Sequence, residues 1–139
     1  MRAYVGIGTN LGDRSQNIKD AVFSLGNLGQ VECSSIYESE SVGYDGPAFL
    51  NAVGKVETVF PVNNFFSYLQ RIEDALGRTR SVPNAPRTID LDLLLFDDLR
   101  LDGEIILPHP RMYERKFVLV PLLEILGGED LVRLPQYVH

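Results

Sequence analysis

The hydrophobic and polar positions of this 139-residue chain follow two different periods. Two stretches repeat apolar residues at three and four positions, which is typical of helices packed on one side. The stronger helix is predicted over 61–76, and the weaker one is expected to begin at an Asp13 cap and to end at Gly26 or Gly29. Four other stretches alternate with the two-residue period of a half-buried strand, and we predict strands over 2–7, 30–37, 49–57 and 88–96.

The order of these elements indicates a fold class. Strand, helix, strand, strand, helix, strand is the order of a ferredoxin-like α+β fold. We therefore expect one domain over residues 1–139, with a four-stranded antiparallel sheet, two helices on one face and a C-terminal extension. That extension is predicted to contain an irregular segment or short strand pair at 101–107, a rigid turn at 108–111, a short helix over 117–126 and a weakly structured tail from Gly127.

Two segments follow neither period and are expected to be loops. Residues 38–48 are rich in serine, glycine and acidic residues, and residues 78–87 contain two prolines and an asparagine. The second segment also carries three arginines and no acidic residue, although the chain has a formal net charge of −6. A local concentration of positive charge, rather than the total, decides whether a triphosphate is attracted.

Composition narrows the classes of function. A hydrophobic content of 45% and a charged content of 23% are typical of a globular chain. The net negative charge argues against a nucleic-acid surface, which is usually broadly basic. The single cysteine, Cys33, cannot form an internal disulfide, no apolar run is long enough to cross a bilayer, and the N-terminus lacks the apolar core of a signal peptide. The default expectation is a cytoplasmic monomer with no membrane or nucleic-acid partner.

The strongest candidate chemistry lies at the start of the last predicted strand. Strict alternation there would place Ile89, Leu91, Leu93 and Leu95 on one face and Asp90, Asp92, Leu94 and Phe96 on the other. Two carboxylates held on one partly apolar face repel each other unless a cation neutralises them, and Mg²⁺ is the ion that prefers such oxygens. A solvated strand face is the alternative, because an isolated Asp-x-Asp is common.

The arginines that precede this strand strengthen the metal interpretation. Arg78, Arg80 and Arg87 are either a solvent-exposed basic loop or a set of guanidinium groups that bind phosphate oxygens in pairs. Arginine and Mg²⁺ together are the usual clamp on a transferring phosphoryl group. The pattern therefore predicts a site for a polyphosphate.

Further candidates have two interpretations each. His109, between two prolines and near Arg115, is either a turn histidine in solvent or a donor to a phosphate. Phe49 and Phe117 are either core residues or a pair that stacks on a flat heterocycle, with Asn51 hydrogen-bonding the edge of that heterocycle. The glycines between residues 6 and 12 match neither a dinucleotide fingerprint nor a P-loop, so we interpret them as turn and packing residues.

Six motifs in order resemble the 6-hydroxymethyl-7,8-dihydropterin pyrophosphokinase family of folate biosynthesis. The resemblance covers nearly the whole chain, and its most specific part is the Pro-Arg-Thr sequence that leads into the paired aspartates. The motifs are Gly8–Asp13, Phe49–Val53, Gln70–Glu73, Gly77–Arg80, Pro86–Leu94 and Pro108–Met112.

The resemblance implies a ferredoxin-like fold and the transfer of pyrophosphate from ATP to the hydroxymethyl oxygen of a reduced pterin, with release of AMP. Asp90 and Asp92 would hold two Mg²⁺ ions, and Arg78 and Arg87 would stabilise the migrating group. The residues implied at ATP are Gln70, Glu73, Arg80, Leu93, His109 and Arg115. Those implied at the pterin are Ser41, Val42, Gly43, Phe49, Asn51, Asp90 and Phe117.

Two other functions are compatible with the sequence. The segment 81–85 lacks the arginine and the aromatic residue that are usual in the family, which is compatible with a ferredoxin-like module that binds a nucleotide or pterin without catalysis. A different Mg²⁺-dependent nucleotidyltransferase is the third possibility, and its product would be pyrophosphate rather than AMP.

Overall fold

A computed structural model describes residues 1–40, 48–77, 89–110, 112, 116–128 and 130 of the chain. These residues form an α+β fold with an antiparallel sheet and three helices. The elements in chain order are β1 (Arg2–Thr9), α1 (Arg14–Leu25), β2 (Gly29–Cys33), β3 (Tyr37–Ser39), β4 (Phe49–Thr58), α2 (Val62–Ala75), β5 (Asp90–Phe96), β6 (Leu101–Asp102), β7 (Ile106–Leu107) and α3 (Lys116–Ile125).

The main sheet has five strands rather than the four that the sequence predicted. Its order is β2-β4-β1-β5, and β3 pairs with β4 beyond the end of β2. The single strand expected over 30–37 is therefore wrong, because it divides at Ser34. There the Ser34 side-chain Oγ accepts a hydrogen bond from Val53 N at 2.9 Å, while Ser34 N donates to Val53 O at 2.9 Å. A side chain thus takes the place of a ladder carbonyl, and regular pairing resumes only at Tyr37.

The two helices predicted from apolar periodicity are confirmed, and they pack on one face of the sheet. The Asp13 carboxylate accepts from Gln16 N at 3.1 Å and caps α1, and Gly26 ends that helix. Helix α2 follows Pro61, and its C-terminal cap is Leu76. In the core below them, Phe65 of α2 meets Phe96 of β5 edge to face, with ring centroids 5.7 Å apart. The buried residues that the helices contribute are Ile18, Ala21, Leu25, Phe65, Leu69 and Ile72.

The opposite face of the sheet is partly covered by the C-terminal extension. Its cluster contains Tyr4, Val53, Leu94, Leu95, Met112, Leu122 and Ile125. The tail expected to be weakly structured from Gly127 is anchored where it is described. Asp130 is buried and accepts a hydrogen bond from the Tyr4 hydroxyl at 2.6 Å, and Gly127 N donates to the same hydroxyl at 3.2 Å.

A β-bulge interrupts the alternation of β5. Val5 pairs with Leu93 and Tyr4 pairs with Leu95, so Leu94 is an extra residue between the two pairs. The expected faces of Leu95 and Phe96 are therefore wrong: Leu95 joins the α3 cluster and Phe96 joins the cluster under α1 and α2. An extra residue in one strand reverses the facing of every residue that follows it. Asp90 and Asp92 precede the bulge and keep the face they share.

Of the two alternatives predicted for 101–107, an irregular segment or a short strand pair, the structure contains the strand pair, as β6 paired with β7. It leads to a cis Leu107–Pro108 peptide and to a turn in which His109 N donates to Leu94 O at 3.0 Å. This bond joins the turn to β5. Among the described residues, every helix is too short or too polar to cross a membrane.

Candidate active site

The register of the sheet places Asn51, Gly8 and Asp90 side by side. Asn51 of β4 pairs with Gly8 of β1, and Gly8 pairs with Asp90 of β5. Directly opposite residues of antiparallel strands project to the same face, so the side chains of Asn51 and Asp90 flank a position that has none. A Cβ added at Gly8 would lie 3.5 Å from Asn51 Oδ1. We call this space above Gly8, between Asn51 and Asp90, the glycine gap.

The Asn51 side chain is buried and held in one orientation. Its Nδ2 donates to Ser39 Oγ at 2.7 Å and more weakly to Tyr37 O at 3.4 Å. Because both bonds engage the amide nitrogen on the β3 side, the Oδ1 atom points toward the glycine gap. The site thereby offers a hydrogen-bond acceptor to the N–H edge of a ligand.

The two predicted aromatic residues border the same face. Phe49 is half-buried and lies two residues before Asn51 on β4, so both side chains project to one side of the strand. Phe117 is half-buried in the first turn of α3, the helix that packs on this face. Their positions are compatible with stacking on a flat ligand above the glycine gap, and the stacking itself stays a prediction.

The paired aspartates lie on one face, as the alternation of the strand predicted. Asp92 is opposite Gly6 of β1, one row along from the pair of Asp90 and Gly8. Asp92 is exposed and Asp90 is half-buried. In the described part of the chain no three candidate ligands cluster as a complete metal site. Two carboxylates suit Mg²⁺ nonetheless, because this ion often keeps waters and takes its other ligands from substrate phosphates.

A cleft of about 300 Å³ lies beside β5, between α2 and the turn after β7. It brings together five residues that the sequence assigned to ATP or metal, namely Gln70, Glu73, Asp92, Leu93 and His109. Sequence reasoning missed its apolar walls, which include Phe66, Ile105, Ile106 and Pro110. Helical spacing was a signal for one of them, since Phe66 lies four residues before Gln70 on α2.

The wall formed by β5 is an edge strand of the main sheet. The buried Glu73 accepts a hydrogen bond from Leu91 N at 2.9 Å through Oε2. Backbone polar groups alternate between the two edges of a strand, so those of Leu93 face the same edge as the Leu91 N–H. Leu93 therefore presents backbone hydrogen-bonding groups to the cleft, which is what the edge of a nucleobase requires.

Several predicted site residues lie outside the described residues. They are Ser41, Val42, Gly43, Arg78, Arg80, Arg87 and Arg115, and their roles stay predictions. The described ends of the two segments that contain most of them lie near the glycine gap. Ala48 directly precedes Phe49 and Ile89 directly precedes Asp90. Arg14, which sequence reasoning did not select, donates from Nη1 to Ala48 O at 2.6 Å and fixes one of these ends.

Comparison with known proteins agrees with this geometry. The family model described as 7,8-dihydro-6-hydroxymethylpterin-pyrophosphokinase matches residues 4–127. A Bacillus subtilis protein named 2-amino-4-hydroxy-6-hydroxymethyldihydropteridine pyrophosphokinase is 46% identical over 128 residues, covering 88% of this chain and 77% of that protein. A Haemophilus influenzae protein of the same name is 38% identical over 135 residues, covering 94% of this chain and 83% of that protein.

Longer proteins also contain a region like this chain. The folic acid synthesis protein fol1 of Pneumocystis carinii is 42% identical over 133 residues, which is 93% of this chain and 18% of that protein. The solved structure of Plasmodium falciparum HPPK-DHPS has a TM-score of 0.66 at 15% identity and covers 99% of this chain and 40% of that chain. This likeness to a solved structure concerns the fold. By the family model and the close bacterial relatives, the chain belongs to the 7,8-dihydro-6-hydroxymethylpterin-pyrophosphokinase family.

Proposed function

We propose that the glycine gap and the neighbouring cleft hold the two substrates of a pyrophosphoryl transfer. The enzyme transfers pyrophosphate from ATP to the hydroxymethyl oxygen of 6-hydroxymethyl-7,8-dihydropterin, releases AMP and serves folate biosynthesis. The observation that carries the assignment is the row of Asn51, Gly8 and Asp90, because it leaves a flat space between a hydrogen-bonding edge and a carboxylate. The cleft borders the next row at Asp92.

The pterin is proposed to lie in the glycine gap. The acceptor Asn51 Oδ1 would take a hydrogen from an N–H group of the pterin, since the amide nitrogen is already bonded to Ser39. Phe49 and Phe117 would cover the two faces of the ring, and the backbone of Ser41, Val42 and Gly43 would complete its edge. Asp90, at the other end of the gap, would then lie on the side of the reacting hydroxymethyl group.

ATP is proposed to lie in the cleft beside β5. Phe66 and Ile105 provide apolar walls for the base, and the backbone of Leu93 provides hydrogen-bonding groups at its edge. Gln70, Glu73 and His109 would contact the ribose and the phosphates, together with Arg80 and Arg115. With the base in the cleft, the phosphates would extend past Asp92 toward the glycine gap.

Asp90 and Asp92 are proposed to hold two Mg²⁺ ions. Bound Mg²⁺ supplies positive charge that offsets the charge on the phosphate oxygens during transfer. No nucleophilic side chain is needed, because the pterin oxygen attacks phosphorus directly. The chain would act by holding the two substrates in line and by adding the charges of Arg78 and Arg87.

We also propose that the sheet and the first two helices form a ferredoxin-like core. β1, β2, β4 and β5 with α1 and α2 have the element order of a ferredoxin-like core, and β3 would be a continuation of β2 along the same edge of β4. Both clusters of buried residues lie against one sheet, which supports a single domain over residues 1–139. A monomer in the cytoplasm remains the expectation from sequence.

A product assay tests the function. The protein is mixed with Mg²⁺, ATP and 6-hydroxymethyl-7,8-dihydropterin, and nucleotides are separated by chromatography. We expect AMP that forms only when the pterin is present. Release of pyrophosphate in place of AMP would instead establish a nucleotidyltransferase, and Mg²⁺-dependent binding of ATP without turnover would favour the non-catalytic module.

Variants of Asp92 and Asp98, measured in the same assay, test the proposed metal site. Asp92→Ala should lower AMP formation by at least about a hundredfold, since it removes charge stabilisation at the transferring group. Its far-UV circular dichroism should not change, because Asp92 is exposed. Asp98→Ala, a similar change at an exposed position just beyond β5, is the control. Equal activity of the two variants would show that the metal assignment is wrong.

A further inference from the structure

Outside the substrate pockets, one carboxylate of α3 gathers three hydrogen bonds from a single short segment. Glu124 Oε2 accepts from Ser35 N at 2.9 Å and from Ser35 Oγ at 3.0 Å. Glu124 Oε1 accepts from the Tyr37 hydroxyl at 2.5 Å. We call Glu124, Ser35 and Tyr37 the α3 latch, because it ties the last helix to the segment around β3.

The segment that the latch holds contains the shortest strand of the main sheet. β3 is three residues long, and among the described strands its partner is β4. It follows the interruption at Ser34, and its neighbour Ile36 is exposed. Three residues is the short end of the usual range of strand lengths. The three hydrogen bonds that Glu124 accepts therefore add a tie from α3 to the start of β3.

The latched segment in turn holds the Asn51 side chain. Tyr37 lies opposite Asn51 in the β3–β4 register, and its backbone oxygen accepts from Asn51 Nδ2. Ser39, two residues further along β3, provides the shorter bond to the same nitrogen at 2.7 Å. A displacement of β3 would release the amide of Asn51, which could then rotate and turn its oxygen away from the glycine gap.

The other end of the latch is the helix that carries Phe117. Glu124 and Phe117 are seven residues apart on α3, which is two helical turns, and they lie on the same side of the helix. The bonds of Glu124 to β3 therefore help to set the separation between α3 and β4, the strand that carries Phe49 and Asn51. In the proposed pterin site, this separation would set the width available to a flat ring.

The Glu124 carboxylate is charged at neutral pH. The hydrogen bond from the Tyr37 hydroxyl, followed by the bond from Ser35 N, lowers the pKa of Glu124 below its ordinary value. The same contact raises the pKa of Tyr37, which keeps the phenol protonated and able to donate. Both groups thus have the protonation state that the latch needs.

We propose that Glu124 is a positioning residue for the pterin, acting through β3 on Asn51 and through α3 on Phe117. Glu124 does not touch the substrate in this arrangement. It fixes the acceptor that meets the pterin edge and the spacing of the aromatic pair. The proposal rests on the proposed pterin site, and it adds a determinant of pterin affinity that lies outside the two substrate pockets.

Steady-state kinetics of four variants test the latch. Glu124→Ala should raise KM for the pterin by roughly three- to tenfold, because a charge-assisted contact that orders the site is lost. It should leave kcat and KM for ATP unchanged, because the cleft beside β5 shares no element with the latch. Glu124→Gln keeps one acceptor oxygen and should recover most of the affinity. Tyr37→Phe should raise KM for the pterin less than Glu124→Ala, and the double variant should add nothing to Glu124→Ala.

Glu57→Ala, the same change at an exposed position at the far end of β4, should leave KM for the pterin unchanged. If Glu124→Ala lowers the melting temperature but leaves KM for the pterin unaltered, the residue has only a structural role and the proposal is overturned. Equal increases in KM for both substrates would also overturn it.

Asn51→Ala separates failure of the latch from failure of the pterin site. If Asn51→Ala raises KM for the pterin while Glu124→Ala does not, the pterin site stands and the latch is wrong. If Asn51→Ala leaves KM for the pterin unchanged, the assignment of the pterin site is itself wrong. The role proposed for Glu124 is then wrong as well, because it depends on that site.

Discussion

A residue without a side chain is central to the candidate site. Gly8 lies between Asn51 and Asp90 in the sheet register, and any side chain there would occupy the space assigned to the pterin. Its backbone needs no glycine, because Gly8 is not among the described residues with positive φ. We therefore propose that glycine at this position leaves space for the ligand and does not serve the conformation of the chain.

Gly8→Ala should weaken pterin binding without unfolding the protein. The added Cβ would lie at an ordinary contact distance of 3.5 Å from Asn51 Oδ1, so the fold accepts it, but the methyl group would lift a flat ring from the sheet. We expect KM for the pterin to rise by roughly tenfold, which corresponds to about 1.4 kcal/mol. Steady-state kinetics and the melting temperature measure the two effects.

Gly6→Ala is the matched control for that change. It lies one row away on the same face of β1, and the atoms nearest to its added Cβ would be those of the flexible Leu94 side chain, at 3.5 Å. Its KM for the pterin should equal that of the unchanged protein. If Gly6→Ala and Gly8→Ala have the same effect, general strain in β1 rather than a blocked pterin site explains both.

At the scale of elements, one hydroxyl determines where an edge strand divides. Ser34 is buried, accepts from Val53 N and donates to the carbonyl of Ser35 at 2.8 Å. The division allows the segment after β2 to change direction before it pairs again with β4. This change of direction places Ser39 beside Asn51. The strand break at Ser34 therefore helps to form the candidate site.

Ser34→Ala should destabilise the fold. The buried N–H of Val53 would lose its acceptor, and a buried donor left unsatisfied costs about 1–3 kcal/mol. Urea denaturation followed by circular dichroism measures the free energy of unfolding. Ser67→Ala, at an exposed position within α2, should cause no loss, since alanine favours helices. A stability of Ser34→Ala equal to that of Ser67→Ala would contradict the role given to the hydroxyl.

At the scale of the whole molecule, a buried polar cluster joins the two ends of the described chain. Asp130 accepts from the Tyr4 hydroxyl and from Arg2 Nη2 at 3.3 Å, and Arg2 Nε lies 2.9 Å from Asp130 Oδ2 without the alignment of a hydrogen bond. The cluster fixes the chain beyond α3 against β1, the central strand. α3 is thus held through Glu124 to the segment around β3 and through the chain that follows it to β1.

This cluster predicts a loss of stability at alkaline pH. Burial, followed by the hydrogen bond to Asp130, raises the pKa of Tyr4 above its ordinary value of 10.0. The unfolded chain releases the phenolic proton near that ordinary value, whereas the folded chain keeps it. The stabilisation is therefore fully present below about pH 10 and decreases as the pH rises further.

Melting temperatures measured between pH 8 and 11.5 test this prediction. The temperature should fall above about pH 10. The fall should be smaller in Tyr4→Phe, which lacks the ionising group, and Tyr68→Phe is a control because Tyr68 is only half-buried and outside the cluster. An identical alkaline decline in Tyr4→Phe and the unchanged protein would show that Tyr4 does not cause it.

Local patterns predicted most elements and part of the site. The helices, the Asp13 cap and the shared face of Asp90 and Asp92 each depend on residues close together in sequence, and the structure confirms them. The patterns could not find the division at Ser34 or the bulge at Leu94. Both depend on how one strand meets another, and neither residue breaks the hydrophobic pattern of its own strand.

By itself, the sequence determined the family, the types of element and the presence of two carboxylates on one strand face, because motifs and periods are properties of neighbouring residues. Only the tertiary structure decided that Gly8 separates Asn51 from Asp90, that a cleft opens along β5, and that Glu124 and Asp130 join the C-terminal part to distant strands. These features arise from pairing register and from contacts between residues far apart in the chain. No local pattern in the sequence predicts such contacts, because they form only when the whole chain has folded.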